Sequence, residues 1–295
     1  MQDNTRGALL MMGSMAGFTF NDTFVKLTGG AVPLFQLVFL RGVIASLFLF
    51  FLARHMGALR RDLSRRDWTL VCIRSLTEVG ATVFFLSALF RMPLANVTAI
   101  LQFLPLSVAL GAALFLREPV GWRRWIAIAV GFGGMLLIVR PGPEGFSDAT
   151  LFALVAVACS TLRDLVTRSM SVEVPSLLVS FMGALWVMIF AGLASLPGGW
   201  EPIAPLHALY ILIASGFILV AYLCSVLVMR VGEVAFTAPF RYTGLIWALI
   251  LGYLVWGEFP EPLTLLGAFI VVAMGVFTLW REARRSRKNR AYPVR

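Results

Sequence analysis

Runs of mostly apolar residues, separated by short steps holding Arg, Gly, Pro or Ser, recur along nearly the whole chain. A helix rises 1.5 Å per residue, so about 20 apolar residues cross the hydrocarbon core of a bilayer. The pattern predicts ten such spans, over 7–27, 32–53, 68–90, 92–116, 121–140, 147–169, 174–197, 207–231, 233–256 and 262–281. Steps as short as Arg91 to Pro93 and Gly232 to Glu233 place neighbouring spans antiparallel. Met1–Arg6 leads directly into the first span with no small-residue cleavage site, so that span is expected to stay on the chain.

Composition agrees with a membrane-embedded chain. Of 295 residues, 59% are hydrophobic and 14% charged, against roughly 25% charged in soluble domains. The net charge of +10 is unevenly distributed. Arg54, Arg60, Arg61, Arg65 and Arg66 share one step between spans, and the tail from Arg281 to Arg295 holds seven more basic residues. These clusters read as membrane-flanking anchors, and no soluble basic face is left for nucleic acid. With both termini inside, 18 flanking Arg and Lys fall on the cytoplasmic side and only three, Lys26, Arg91 and Arg140, on the other. The positive-inside rule therefore predicts an inner (plasma) membrane protein with cytoplasmic N- and C-termini. In a cysteine-free variant, single cysteines at Ser64 and Ser286 should be shielded from an impermeant thiol reagent in intact cells. Free labelling of either reverses the orientation.

Cys72, Cys159 and Cys224 all lie in apolar runs, without disulfide or metal-ligand spacing. There is no Walker A sequence, and His55 and His207 stand alone. No metal, cofactor or enzymatic activity is expected.

The two halves repeat. A shift of 142 lays Leu9, Ala16, Thr19, Asp22, Val32, Pro33 and Phe39 on Leu151, Ala158, Thr161, Asp164, Val174, Pro175 and Phe181, with Lys26 on Arg168. A shift of 140 lays Ala95 on Ala235 and Glu118 on Glu258, and one inserted residue then brings Gly134 onto Gly275. Five spans is an odd number, so the second copy crosses in the opposite sense. The fold class expected is an all-α polytopic membrane protein of ten transmembrane helices in two inverted five-helix repeats. Residues 1–143 form the first repeat, and 144–295 form the second with its basic cytoplasmic tail. Inverted repeats are typical of secondary transporters, whose sites lie near the midplane.

The residues also resemble a known family. Met92-Pro-Leu-Ala-Asn-Val-Thr-Ala-Ile-Leu-Gln-Phe-Leu-Pro105, Leu116-Arg-Glu118-Pro-Val-Gly-Trp-Arg-Arg-Trp125 and Gly131-Phe-Gly-Gly134 look like the EamA unit of the drug/metabolite transporter superfamily. Gly257-Glu258 through Gly267 to Gly275 is similar to a second unit. The resemblance implies a ten-helix carrier with a central cavity walled by spans 1, 3, 4, 6, 8 and 9. It points towards the YddG-like group of amino-acid exporters, including exporters of aromatic amino acids.

Charged residues inside spans are costly and usually face the bundle interior. Asp22 with Lys26 and Asp164 with Arg168 are i,i+4 pairs, acid first, with the base near a helix C-terminus. They read either as helix-end salt bridges or, because both repeats carry them at opposite faces, as gates. Arg74 and Glu78 share one face of span 3 near mid-bilayer, either as an internal lock or as a substrate or proton site. Arg163 adds a base beside Asp164, while Arg41 sits on a peripheral span. Thr98 and Gln102 share a face of span 4 near Pro105, and Arg241 and Tyr242 follow Pro239 in span 9. Phe18, Asn21, Tyr222 and Trp247 complete the candidate cavity wall. Gly13–Gly17 and Gly131–Gly134 read as helix-packing positions.

Acidic, basic and aromatic side chains together suit a zwitterion. The expected function is export of amino acids or related small metabolites by alternating access, with a proton as candidate coupled ion. The alternatives are multidrug or toxic-cation efflux, and uptake of a metabolite such as S-adenosylmethionine. A channel would instead show flux that does not saturate, and an enzyme would need an acid/base constellation beyond Arg74 and Glu78.

Overall fold

The computed structural model describes residues 2–60, 63–118, 121–140, 147–231 and 234–291, with side chains for all of these except 2, 60, 229–231, 234, 235 and 282–291. Arg60 and Arg61, Arg230, the basic tail beyond Arg281, and the 143/144 repeat boundary therefore lie outside the described side chains or backbone.

The chain is helical throughout the described residues, in the order α1 (Gln2–Leu27), α2 (Leu34–His55), α3 (Arg65–Leu89), α4 (Leu94–Leu101), α5 (Leu104–Phe115) and α6 (Trp122–Val139), then α7 (Asp148–Arg168), α8 (Ser176–Ser195), α9 (Pro205–Val231), α10 (Val234–Thr237), α11 (Thr243–Trp256) and α12 (Pro262–Ala291). Local sequence sets the starts. Pro33 and Pro175, repeat mates, stand immediately before α2 and α8 in extended conformation, since proline disfavours helix in the residue before it and needs no amide partner. Ser64 caps α3 by accepting from the Asp67 amide, and Ser147 caps α7 by accepting from Thr150. Gly257 closes α11 with a left-handed φ of 68°, the conformation that favours glycine at a helix C-terminus.

Ten spans result. Nine stretches of the described residues are long and apolar enough to cross a membrane. The tenth is α1, whose apolar run is diluted by Asn21, Asp22 and Lys26. Spans 4 and 9 are not continuous α-helix. The fourth breaks between α4 and α5 at Gln102–Phe103, and the ninth passes through a 3₁₀ turn at Ala238–Tyr242. The prolines are not repeat mates, so the sequence gives no reason for symmetric breaks. The structure nevertheless puts the breaks at matching places, because the shift of 140 carries Gln102 onto Tyr242.

Contacts divide the chain into two compact units. Unit 1 holds Met1–Thr19, Pro93–Phe146 and Ala221–Arg295, and unit 2 holds Phe20–Met92 and Ser147–Val220. In unit 1, α6 packs along α12 and α4 along α11. In unit 2, α2 packs along α8, and α3 packs along both α7 and α8. The repeat swap carries the pairs α2–α8 and α6–α12 onto themselves and α3–α7 onto α1–α9. The α1–α9 pairing is present. Ser14 Oγ donates to the Ala221 carbonyl at 2.9 Å in unit 1, and Phe20 stacks on Phe217 with ring centroids 4.9 Å apart in unit 2. The chain is thus a ten-helix polytopic membrane protein whose contacts match two inverted five-helix repeats.

Close helix approach in unit 1 depends on missing side chains, as is usual where lipid offers no hydrophobic drive. A Cβ on Gly134 would meet Ile270 Cγ2 at 2.8 Å, and one on Gly267 would meet the Gly134 carbonyl at 2.5 Å. Arg140, at the end of α6, pairs with Glu261 at the start of α12. In unit 2 the Gln36 amide, 1% exposed, bonds both backbone groups of Glu201, at 2.9 and 3.1 Å, so its burial leaves no polar atom unmet.

Candidate functional site

All the charged candidates except Arg241 lie in unit 2. Arg74 and Glu78 lie one turn apart on α3, as the i,i+4 spacing predicts, with Nη2 to Oε2 at 3.0 Å. The other Glu78 oxygen faces Arg163 Nη1 of α7 at 3.3 Å, and Arg163 Nε donates to Asp164 Oδ1 at 2.9 Å. Arg74 Nη1 also donates to the Val179 carbonyl of α8 at 3.2 Å. The result is an unbroken chain of alternating charge, Arg74–Glu78–Arg163–Asp164, with side chains 15–28% exposed. Its formal charge is zero, which is what makes two guanidinium groups tolerable in a low-dielectric setting.

The Arg163–Asp164 contact has a counterpart. At the repeat-mate positions in α1, Asn21 Nδ2 donates to Asp22 Oδ1 at 2.8 Å. Each repeat therefore presents a donor directly followed by the acid that it holds, an amide in the first copy and a guanidinium in the second. Asp22 also interacts electrostatically with Arg41 of α2, so Arg41 belongs with the charged candidates despite its peripheral span. Lys26, expected to serve Asp22, donates to the Met92 carbonyl at 2.7 Å. Arg168 is exposed at the end of α7.

One further polar junction in unit 2 escaped the sequence reading. Asp67, 8% exposed, accepts from Ser64 Oγ at 2.7 Å and from Ser171 Oγ and N at 2.5 and 3.2 Å. It ties the start of α3 to the turn between α7 and α8. The signal available in sequence was the Ser64-x-x-Asp67 capping pattern, which predicts the Asp67 amide donating to Ser64 Oγ and not the bonds to Ser171.

Unit 1 holds the neutral and aromatic candidates. Phe18 meets Tyr222 edge-on with centroids 5.7 Å apart. Thr19 Oγ1 reaches the Gly244 carbonyl at 3.4 Å, and the position where Gly244 lacks a Cβ lies 3.8 Å from Met15 and 3.9 Å from Gln102 Nε2. Gly244 is thus where α1, the α4–α5 break and α11 converge, with Trp247 three residues further along α11. Thr98 turns its hydroxyl back to the Leu94 carbonyl. Two residues stand apart. Arg241 is exposed, while Tyr242 is buried against α12, where a Cβ on Gly275 would collide with its hydroxyl.

Comparison with known proteins fits this architecture. The EamA-like transporter family matches residues 5–140, nearly the whole first repeat. An S-adenosylmethionine uptake transporter of Rickettsia felis is 25% identical over 282 residues, 94% of this chain and 93% of the relative. A riboflavin transporter of Rhizobium johnstonii is 30% identical over 240 residues, covering 79% of this chain and 76% of that one. A pseudopaline exporter of Pseudomonas aeruginosa is 26% identical over 279 residues, 89% and 93% of the two chains. With two inverted five-helix repeats and relatives matched along both of them, the chain belongs to the EamA-like transporter family, as a multi-pass bacterial membrane protein that moves small metabolites.

Proposed function

We propose that the protein takes up a small metabolite bearing an amino-acid zwitterion beside a further polar group, with S-adenosylmethionine as the representative substrate. The observation that carries this reading is the alternating Arg74–Glu78–Arg163–Asp164 chain of unit 2. Opening one buried ion pair exposes both partners at a cost of a few kcal/mol, unless complementary charges replace the lost ones. The amino-acid part of such a substrate supplies an ammonium for Glu78 and a carboxylate for an arginine, and the sulfonium of S-adenosylmethionine brings one further positive charge. Amino-acid export, the expectation drawn from the family resemblance, has weaker support than uptake. S-adenosylmethionine uptake is what the name of the Rickettsia felis relative states, and that match extends over 94% of this chain. On the same reading both termini are cytoplasmic, the repeats meet at 143/144, and Asp22 and Asp164 with their neighbours gate opposite faces.

Purified protein in proteoliposomes should take up labelled S-adenosylmethionine with saturation, and faster when unlabelled S-adenosylmethionine is trapped inside. Riboflavin and a panel of free amino acids serve as competitors, with and without an imposed pH gradient. Uptake that never saturates and shows no counterflow would identify a channel. Saturable counterflow of an amino acid, with none of S-adenosylmethionine, would return the assignment to amino-acid transport.

A further inference from the structure

Glycine 183 bears on the same site although it has no side chain to contribute. It lies on α8, one turn after Val179, whose carbonyl accepts from Arg74 Nη1 at 3.2 Å. A Cβ on Gly183 would collide with that Nη1 and would stand 3.6 Å from both Arg74 Cζ and Glu78 Cγ. The guanidinium thus rests on bare helix backbone, in the space that any other residue would fill.

The repeat register shows what stands there in the other copy. The shift of 142 that carries Phe39 onto Phe181 carries Arg41 onto Gly183. In the first repeat, Arg41 on span 2 interacts electrostatically with Asp22. In the second repeat the equivalent span has glycine at that position. Arg74, reaching from α3, lies over it and holds Glu78, which holds Arg163, which holds the second repeat's Asp164. Arg74 and Glu78 have no charged mates of their own. Shifts of 140 and 142 place them on Ala214 or Gly216 and on Ile218 or Val220. The first repeat's Arg41 thus corresponds to a cation that reaches in from another span, and in the observed arrangement the Arg74 Nη1 occupies the space of a Cβ at 183.

We propose that Gly183 is a positioning residue for the transport site, fixing the Arg74 guanidinium on the Val179 carbonyl so that Glu78 is presented between Arg74 and Arg163. The proposal rests on the charged chain being the substrate site. Its test uses full-length protein with Gly183→Ala, Arg74→Lys and the double variant. Lysine lacks the branched Nη1 that the new methyl would strike. Gly183→Ala should lower the melting temperature in detergent, and should do so far less when Arg74→Lys is already present. In proteoliposomes with labelled S-adenosylmethionine, Gly183→Ala should raise KM about tenfold with little change in Vmax. Added to Arg74→Lys, it should raise KM no further. A Gly183→Ala protein that melts and transports as wild type overturns the proposal, as do effects of the two changes that simply multiply. If wild-type protein fails to take up S-adenosylmethionine, or Arg74→Lys leaves KM untouched, the substrate reading fails instead, and the melting comparison still decides whether Gly183 positions Arg74.

Discussion

Glu78→Gln is expected to reduce uptake of labelled S-adenosylmethionine by about a hundredfold while the protein stays folded. Glu78 is the only member of the charged chain that touches two bases, Arg74 at 3.0 Å and Arg163 at 3.3 Å. Glutamine keeps its shape and one acceptor oxygen but leaves two guanidinium groups without their shared anion. Removing one partner of a desolvated, hydrogen-bonded charge pair typically costs about 2–5 kcal/mol. At about 1.4 kcal/mol per tenfold, the lower half of that range, about 3 kcal/mol, corresponds to roughly two orders of magnitude in binding. Kinetics separate two roles. A carboxylate that binds the substrate ammonium loses affinity, so KM rises. A carboxylate that carries a coupled proton leaves KM nearly intact and abolishes the response to a pH gradient. A folded Glu78→Gln protein with unchanged KM, rate and pH dependence would make the residue a structural partner of its arginines and nothing more.

Gly267→Ala should destabilise the protein far more than a methyl added at Gly133 on the same α6–α12 pair. The added Cβ meets the Gly134 carbonyl at 2.5 Å, Ile138 Cγ1 at 2.9 Å and Leu137 Cβ at 3.0 Å. A backbone carbonyl cannot rotate away, so the helices must separate. Overpacking of this kind costs about 1–3 kcal/mol, and Gly267→Leu should prevent recovery of folded protein altogether. Gly133→Leu is the control, because a Cβ there has nothing within 4 Å. Melting temperatures in detergent and yields of monodisperse protein give the measurement. Equal losses for Gly133→Leu and Gly267→Leu would show that bulk on α6 and α12 matters and that the close approach does not.

The number and order of spans were legible because twenty-residue apolar runs have no other stable use in a chain of this composition. The interruptions were legible only as Pro105 and Pro239, which disturb their spans; the backbone shows the breaks themselves at Gln102–Phe103 and Ala238–Tyr242. The candidate site divided in the same way. Arg74 with Glu78 was readable because i,i+4 neighbours share a helix face. The same rule could not show Asn21 or Arg41 beside Asp22, because it counts along one helix and sees neither adjacent residues that curl together nor a base on another span. The Glu78–Arg163 contact was hidden for a further reason. Repeat alignment shows which positions are equivalent, and equivalent positions are not the ones that touch. Gly183 carried no chemical signal at all until Arg74 was seen lying over it.

The two donor–acid dipeptides have a historical consequence. Suppose the ancestor was a single five-helix chain that paired antiparallel with a copy of itself. One codon would then have set the residue before the acid in both orientations, so that residue could be asparagine on both sides or arginine on both. Two asparagines would leave Glu78 without its partner on α7, and two arginines would put an extra cation beside Asp22. Asn21 in one copy and Arg163 in the other require that each copy have its own codon, which duplication alone supplies. On that supposition the balanced charge of the chain from Arg74 to Asp164 is a property that two identical copies could not share out in this way.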